Sequence, residues 1–206
     1  VIPSSEIITI CNAVILDYHQ QKELETALPN LEPTPTLAQL IEQKSRVDTI
    51  QWHLEDEVRN PYITAEDGWS FKKKIDIYNQ KRTHLVEEMD VLFFEHFQNV
   101  KTQGIARFNS ETPGWIIDRL SILGLKIFHM QEQTERLDTN EAHLKQCQLN
   151  LSILKGQQAD LCCAFDQLIS DLAKGAKYMK RYLQIKMYND EQLNPVLYQS
   201  AHLKKQ

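Results

Sequence analysis

The stretch that decides the fold is WHLEDEVRNPYITAEDGWSFKKKIDIYNQKRTHLVEEMDVLFFEHF, residues 52–97. It reads as the end of one helix, a turn at Asn60-Pro61, and then a long second helix. Proline cannot continue the first helix, and it pushes the preceding Asn60 out of helical geometry. Thr64 then serves as an N-cap, with Glu66 and Asp67 adding negative charge to the first turn. Asp67 stands where a capping box would have Glu or Gln, so the box is incomplete.

Working outward, residues 5–28 read as a first helix with an apolar face of Ile8, Cys11, Val14, Ile15, Tyr18 and Leu24. Three prolines between 29 and 35 end it. A second helix runs over 36–60 on a ridge of Leu40, Val47, Ile50, Leu54 and Val58, and a third over 65–102. Thr112 followed by Pro113 marks the start of a fourth at 113–137. That fourth helix is apolar on almost every side, as expected of one lying centrally or passing through an oligomer interface. A fifth helix is expected over 141–188. Leu144, Cys147, Leu151, Leu154, Gln158, Leu161, Phe165, Leu168 and Leu172 follow a near-heptad spacing, and Gly175 is read through. The tail, with Leu193, Val196, Leu197 and Tyr198, is expected to dock as a short segment. The expectation is therefore all-α: a single domain over 1–206, a bundle of about five long antiparallel helices.

Composition narrows the function classes. Only 6 glycines and 7 prolines in 206 residues favour a few long helices over many short strands, and a net charge of -5 gives no global attraction to nucleic acid. No apolar run is long enough to span a bilayer, and the opening residues carry no positive leader. Cys11, Cys147, Cys162 and Cys163 form no C-x-x-C pair and read as reduced thiols, which points to the cytoplasm. There is no glycine-rich phosphate loop and no nucleophile elbow. No cofactor is expected.

The polar residues are the informative ones. Trp52, Glu55, Asp56 and Arg59 share one side of the second helix, with His53 pointing elsewhere. On the third helix Arg82 sits in an apolar ridge of Ile75, Tyr78, Val86, Met89 and Phe93, with Asn79 bordering it. Asp76, Gln80, Thr83, Glu87 and Asp90 run down another side. A buried guanidinium needs a carboxylate or a ligand anion, so Arg82 is expected in a polar pocket facing the second helix, with Glu55, Asp56 or Asp118 as partner. Asp118 and Arg119 interrupt the fourth helix's apolar run. His53 with Asp56, and His84 with Glu87 and Glu88, lack the inward-facing ligand spacing of helical metal proteins, so no metal site is expected. Lys174, Lys177 and Arg181 are placed on one side of the fifth helix as a possible contact for an acidic partner.

WHLEDEVR at 52–59, KKKIDIYNQKR at 72–82 and ETPGWIIDRLSILGLKIFHM at 111–130 together resemble a family known as domain of unknown function 4254. KMYND at 186–190 and LNPVLY at 193–198 extend the resemblance. It implies a helical protein whose relatives are bacterial and associated with cell-envelope sugar pathways, with no assigned catalytic residues. Trp52, His53, Glu55, Asp56, Arg59, Asp76, Asn79, Gln80 and Arg82 match the family's polar motifs. Where relatives tend to have Asn-Asp after Arg82, this chain has Thr83 and His84.

Two function classes follow. The first is a non-enzymatic binding or assembly protein, homo-oligomeric, with a small anionic or sugar ligand and no nucleic-acid partner. Its binding residues are Trp52, His53, Arg59, Asn79, Gln80, Arg82, Asp118 and Arg119. The second is an enzyme acting on a sugar, a nucleotide-sugar or a phosphorylated small molecule. There Glu55, Asp56, Asp76 and Glu87 are the acid–base candidates, and Arg59 and Arg82 contact the anion.

Overall fold

The computed structural model describes residues 2–21, 28, 31–185, 187 and 190–203. Among them are six helices, α1 (Ser4–Gln21), α2 (Leu37–Val58), α3 (Ala65–Phe97), α4 (Pro113–Thr134), α5 (Glu141–Ala173) and α6 (Pro195–Leu203). Two two-residue strands, β1 (Arg107–Phe108) and β2 (Lys177–Tyr178), pair in parallel. The protein is all-α apart from this clip. The part of the first helix expected over 22–27 lies outside the described residues, as do residues 186 and 188 of the expected fifth.

The caps are made by the residue types that favour them. Thr36 and Gln39 form a full capping box at α2: the Gln39 N–H donates to Thr36 Oγ1, and the Thr36 N–H donates to Gln39 Oε1 at 2.8 Å. At α3, Thr64 accepts the Asp67 N–H, while the Asp67 carboxylate takes the Thr64 hydroxyl at 2.7 Å instead of the N-cap amide. Asp90, buried on α3, caps α4 from outside. It accepts the Thr112 hydroxyl at 2.6 Å and the Gly114 N–H at 2.9 Å. A Cβ on Gly114 would lie 2.5 Å from the Asp90 carboxylate, so this close approach requires glycine.

α4 is central. It packs against α1, α2, α3 and α5, and Ile116, Ile117, Leu120, Leu123 and Leu125 are all buried. Each such side chain contributes about 1.5–3 kcal/mol on burial. Its apolar circumference is thus used within the chain and does not itself call for a second copy.

The fifth helix is shorter than its spacing predicts. α5 stops at Ala173, with Lys174 as C-cap and Gly175 at φ +67°, a left-handed position that also brings the backbone against the Lys101 carbonyl. A side chain at 175 would overlap that carbonyl. The chain then turns into β2 beside β1, so Lys174, Lys177 and Arg181 do not share a helical face. Lys177 instead pairs with Asp171 at 3.3 Å. Phe165, Leu168 and Leu172 of the heptad-like row are buried in the core. The third helix likewise ends at Phe97, short of 102.

Candidate functional site

The site is built around charge buried in α2. Lys44 lies on the Leu40–Val47 side of that helix and is fully buried, as is Asp48 one turn on. Lys44 Nζ bonds to Asp48 Oδ2, lies 2.9 Å from Asp118 Oδ1 and donates to the Asp118 carbonyl at 3.1 Å. The Ser121 hydroxyl also donates to Asp48 Oδ2, at 2.6 Å. From α3, Arg82 forks onto Asp118, Nε to Oδ1 at 2.7 Å and Nη2 to Oδ2 at 2.6 Å. Its Nε is 3.7 Å from Asp48 Oδ1.

Two cations and two carboxylates therefore sum to zero across three helices. Burial raises the Asp48 pKa against the opposing charge of Lys44. Burial also pushes Asp118 upward, but the Arg82 hydrogen bonds and the charges of Lys44 and Arg82 outweigh it and hold its carboxyl below the usual range. The Asp118 hydrogen bonds in turn raise Arg82.

Arg82 is the part of this network that reaches water, with its side chain 30% exposed. It lines two hollows, one on each side. A hollow of about 330 Å³ is walled by Asp48, Gln51, Trp52, Glu55 and Asp56 of α2 and its C-cap Arg59, with Arg82 and Ile122. A wider one of about 650 Å³ opens between α4 and α5, where Arg119, Lys126, Gln157 and Asp160 join Arg82 and Asp118. In the smaller hollow Gln51 donates to Asn79 at 2.9 Å, but among the described residues nothing donates to Gln51 Oε1 or to Asp48 Oδ1. On the opposite polarity, Arg82 Nη1 makes no hydrogen bond among the described residues.

The expected site residues thus divide. Trp52, Glu55, Asp56, Arg59 and Arg82 meet in the smaller hollow, with Asn79 behind Gln51. Of the three carboxylates considered for Arg82, Asp118 is its partner, whereas Glu55 pairs with Arg59 along α2. Arg119 pairs with Glu111 near the wider hollow. Asp76 pairs with Lys72 on the α3 surface, Glu87 accepts the Gln184 N–H at 2.7 Å, and Gln80 is exposed. None of these last three lines either hollow. Spacing overlooks Lys44, although it falls beside the Leu40–Val47 ridge of α2, the same signal that singles out Arg82, and Asp48, which falls on the side of Trp52 and Glu55.

His53 acquires neighbours that sequence spacing on one helix does not show. His19, in the last turn of α1, and His129, near the end of α4, meet it, with His19 Nε2 and His53 Nε2 3.1 Å apart. Tyr18 stacks on His53, and Trp52 stacks on His129 at 4.9 Å and 12°. Burial, together with His19 and His129, lowers the His53 pKa and favours the neutral ring.

Residues 38–181 match the family model described as "Protein of unknown function (DUF4254)". The chain belongs to this family. The matched span holds Lys44, Asp48, Gln51, Arg82 and Asp118, and so the whole charge network of this DUF4254 protein; His19 lies before it. No curated protein matches the chain, and no solved structure does either. Among its described residues, no helix is long and apolar enough to cross a membrane.

Proposed function

We propose that this DUF4254 protein binds a small polyhydroxylated molecule, sugar-like in its spacing of donors and acceptors, in the hollow between α2, α3 and α4. The reading is carried by one observation: Asp48 Oδ1 and Gln51 Oε1, on the same wall, are buried acceptors to which no described residue donates. Such oxygens are costly unless a water or ligand supplies the missing N–H or O–H. Glu55 and Asp56 add acceptors to that wall, and Arg82 Nη1 supplies donors. Alternating donors and acceptors suit vicinal hydroxyls, each of which both gives and takes a hydrogen bond. The formal charge of the lining, Asp48, Glu55 and Asp56 against Arg59 and Arg82, is −1, which favours a neutral ligand over a phosphorylated one.

The test is calorimetric titration with a panel of neutral monosaccharides, their phosphates and nucleotide sugars. A neutral sugar is expected to bind, and Gln51→Leu to weaken it by roughly five- to tenfold, the worth of one hydrogen bond, with the melting temperature kept. Absence of binding across the panel at millimolar concentration, or binding indifferent to Gln51→Leu, overturns the reading.

A further inference from the structure

We propose that His19, His53 and His129 form a three-histidine site for a first-row transition-metal ion, with zinc as the reference occupant. The site adjoins the hollow, whose wall supplies Trp52 and Asp56 to it, but its argument does not depend on the sugar reading. One ring nitrogen from each histidine can be chosen so that all three lie within 4.8 Å of one another, and the three side chains come from three different helices. The closest pair, His19 Nε2 and His53 Nε2 at 3.1 Å, is near the separation of about 3.3 Å that tetrahedral bonds of about 2.0–2.1 Å impose on two imidazole ligands.

The ring nitrogens that face away from the cluster decide the matter. His19 Nδ1 lies 2.7 Å from the Ile15 carbonyl oxygen. A carbonyl only accepts, so Nδ1 carries the proton, and the neutral ring presents a lone pair at Nε2. His129 Nδ1 lies 2.8 Å from the Glu132 carboxylate, which fixes the same tautomer. In the neutral ring that leaves His129 Nε2 as a lone pair, and this atom is buried with no hydrogen-bond partner among the described residues. His53 Nε2, 3.1 Å from His19 Nε2, donates a proton to that lone pair in one tautomer; with the proton on Nδ1, 3.5 Å from the Asp56 carboxylate, His53 Nε2 is a lone pair as well.

In the second tautomer three nitrogen lone pairs converge, and a cation among them satisfies all three; in the first, the His53–His19 hydrogen bond still leaves His129 Nε2 without a donor among the described residues. A carbonyl or carboxylate on the outer nitrogen of each ring is the arrangement that orients metal-binding histidines and raises their basicity. Ring packing alone explains the Tyr18 and Trp52 stacks, but it leaves His129 Nε2 buried and unsatisfied. Three neutral imidazoles suit zinc, cobalt, nickel or copper rather than magnesium or calcium, which prefer oxygen. Three protein ligands also leave a fourth position for water, the pattern of reactive rather than purely structural zinc.

The experiment uses the full chain without a histidine tag, stripped by chelator and titrated with zinc and with cobalt. One ion per chain is expected, with a rise in melting temperature and the visible absorption of a four- or five-coordinate cobalt ion. His129→Gln and His19→Gln should abolish the stoichiometric site with the helical circular dichroism intact, and His84→Gln on the α3 surface should leave it unchanged. Glu132→Gln, which keeps all three rings, should weaken binding by roughly 10- to 100-fold. Two results overturn the proposal: no stoichiometric uptake of either ion by the folded chain, or uptake that survives both ligand substitutions.

Discussion

The Lys44–Asp48–Arg82–Asp118 network and the His19–His53–His129 cluster are both polar groups held between helices, yet they are opposite in kind. In the first, each charge faces its complement, and all but one carboxylate oxygen accept a hydrogen bond. In the second, like groups face one another: apart from the His19–His53 contact at 3.1 Å, their hydrogen bonds point outward, to Ile15 and Glu132. A polar group satisfied by the chain itself contributes to the uniqueness of the fold. One left unsatisfied marks a place where something else completes the structure. The single unsatisfied carboxylate oxygen of the network, Asp48 Oδ1, belongs to a residue that also lines the smaller hollow, which fits that distinction.

The largest effect is expected from breaking the network at its buried cation. Lys44→Met leaves Asp48 without its cation, and it should cost about 3–5 kcal/mol in urea unfolding. The double variant Lys44→Met/Asp48→Asn should recover part of that loss. If Lys44→Met is tolerated within 1 kcal/mol, the network is not structural and the contrast with the histidines collapses.

Asp90 is an intermediate case: a buried carboxylate with hydrogen bonds but no ion pair among the described residues. Burial raises its pKa to about 6, against the Thr112 and Gly114 hydrogen bonds that lower it. The unfolded value is about 3.9, so protonation favours the folded state. Its stabilising contribution is present below about pH 4 and is lost as pH rises through about 6. Relative to the wild type, Asp90→Asn should therefore gain on the order of 2–3 kcal/mol between pH 4 and pH 7. A difference curve that is flat over this range would mean that the α4 cap holds Asp90 ionised throughout.

Arg82→Ala should cost less than Lys44→Met, about 1–3 kcal/mol, because its side chain is 30% exposed and water can reach the Asp118 it abandons. A larger loss would place Arg82 wholly within the structural network. Retained stability with loss of sugar binding would assign it to the hollow.

How far the sequence reveals these features follows from what spacing can carry. The helices announce themselves through apolar periodicity, threonine caps and prolines, as at Thr112-Pro113. The end of α5 does not, because nothing in the spacing around Gly175 reports the Lys101 carbonyl that forbids a side chain there. Arg82 stands out as a cation in an apolar ridge; Lys44 carries the same signal in α2, weakened because Asp48 one turn away makes the pair look like a surface salt bridge. Asp76, Gln80 and Glu87 share a helix with Arg82 but not its hollow, so likeness of residue type overstates their role. The histidines lie furthest from view. His19, His53 and His129 are each separated by 34 residues or more, and no single-helix pattern links them.

The smallest expected effect is also the one that most sharply separates the two regions. His129→Phe in chelator-treated protein should change stability by less than about 1 kcal/mol, and with either sign. The substitution keeps an aromatic ring to stack on Trp52 and removes a buried Nε2 that has no hydrogen-bond partner among the described residues. It loses only a hydrogen bond to Glu132, whose side chain is 52% exposed, and exposed pairs of this kind are worth little. The same substitution should erase the whole rise in melting temperature that zinc gives the wild type, since a ligand bound only by the folded state stabilises only while its site exists. A loss above about 2 kcal/mol without metal would show that the ring already has a structural partner. The histidines would then belong with Lys44 and Asp48, as part of what holds the helices together.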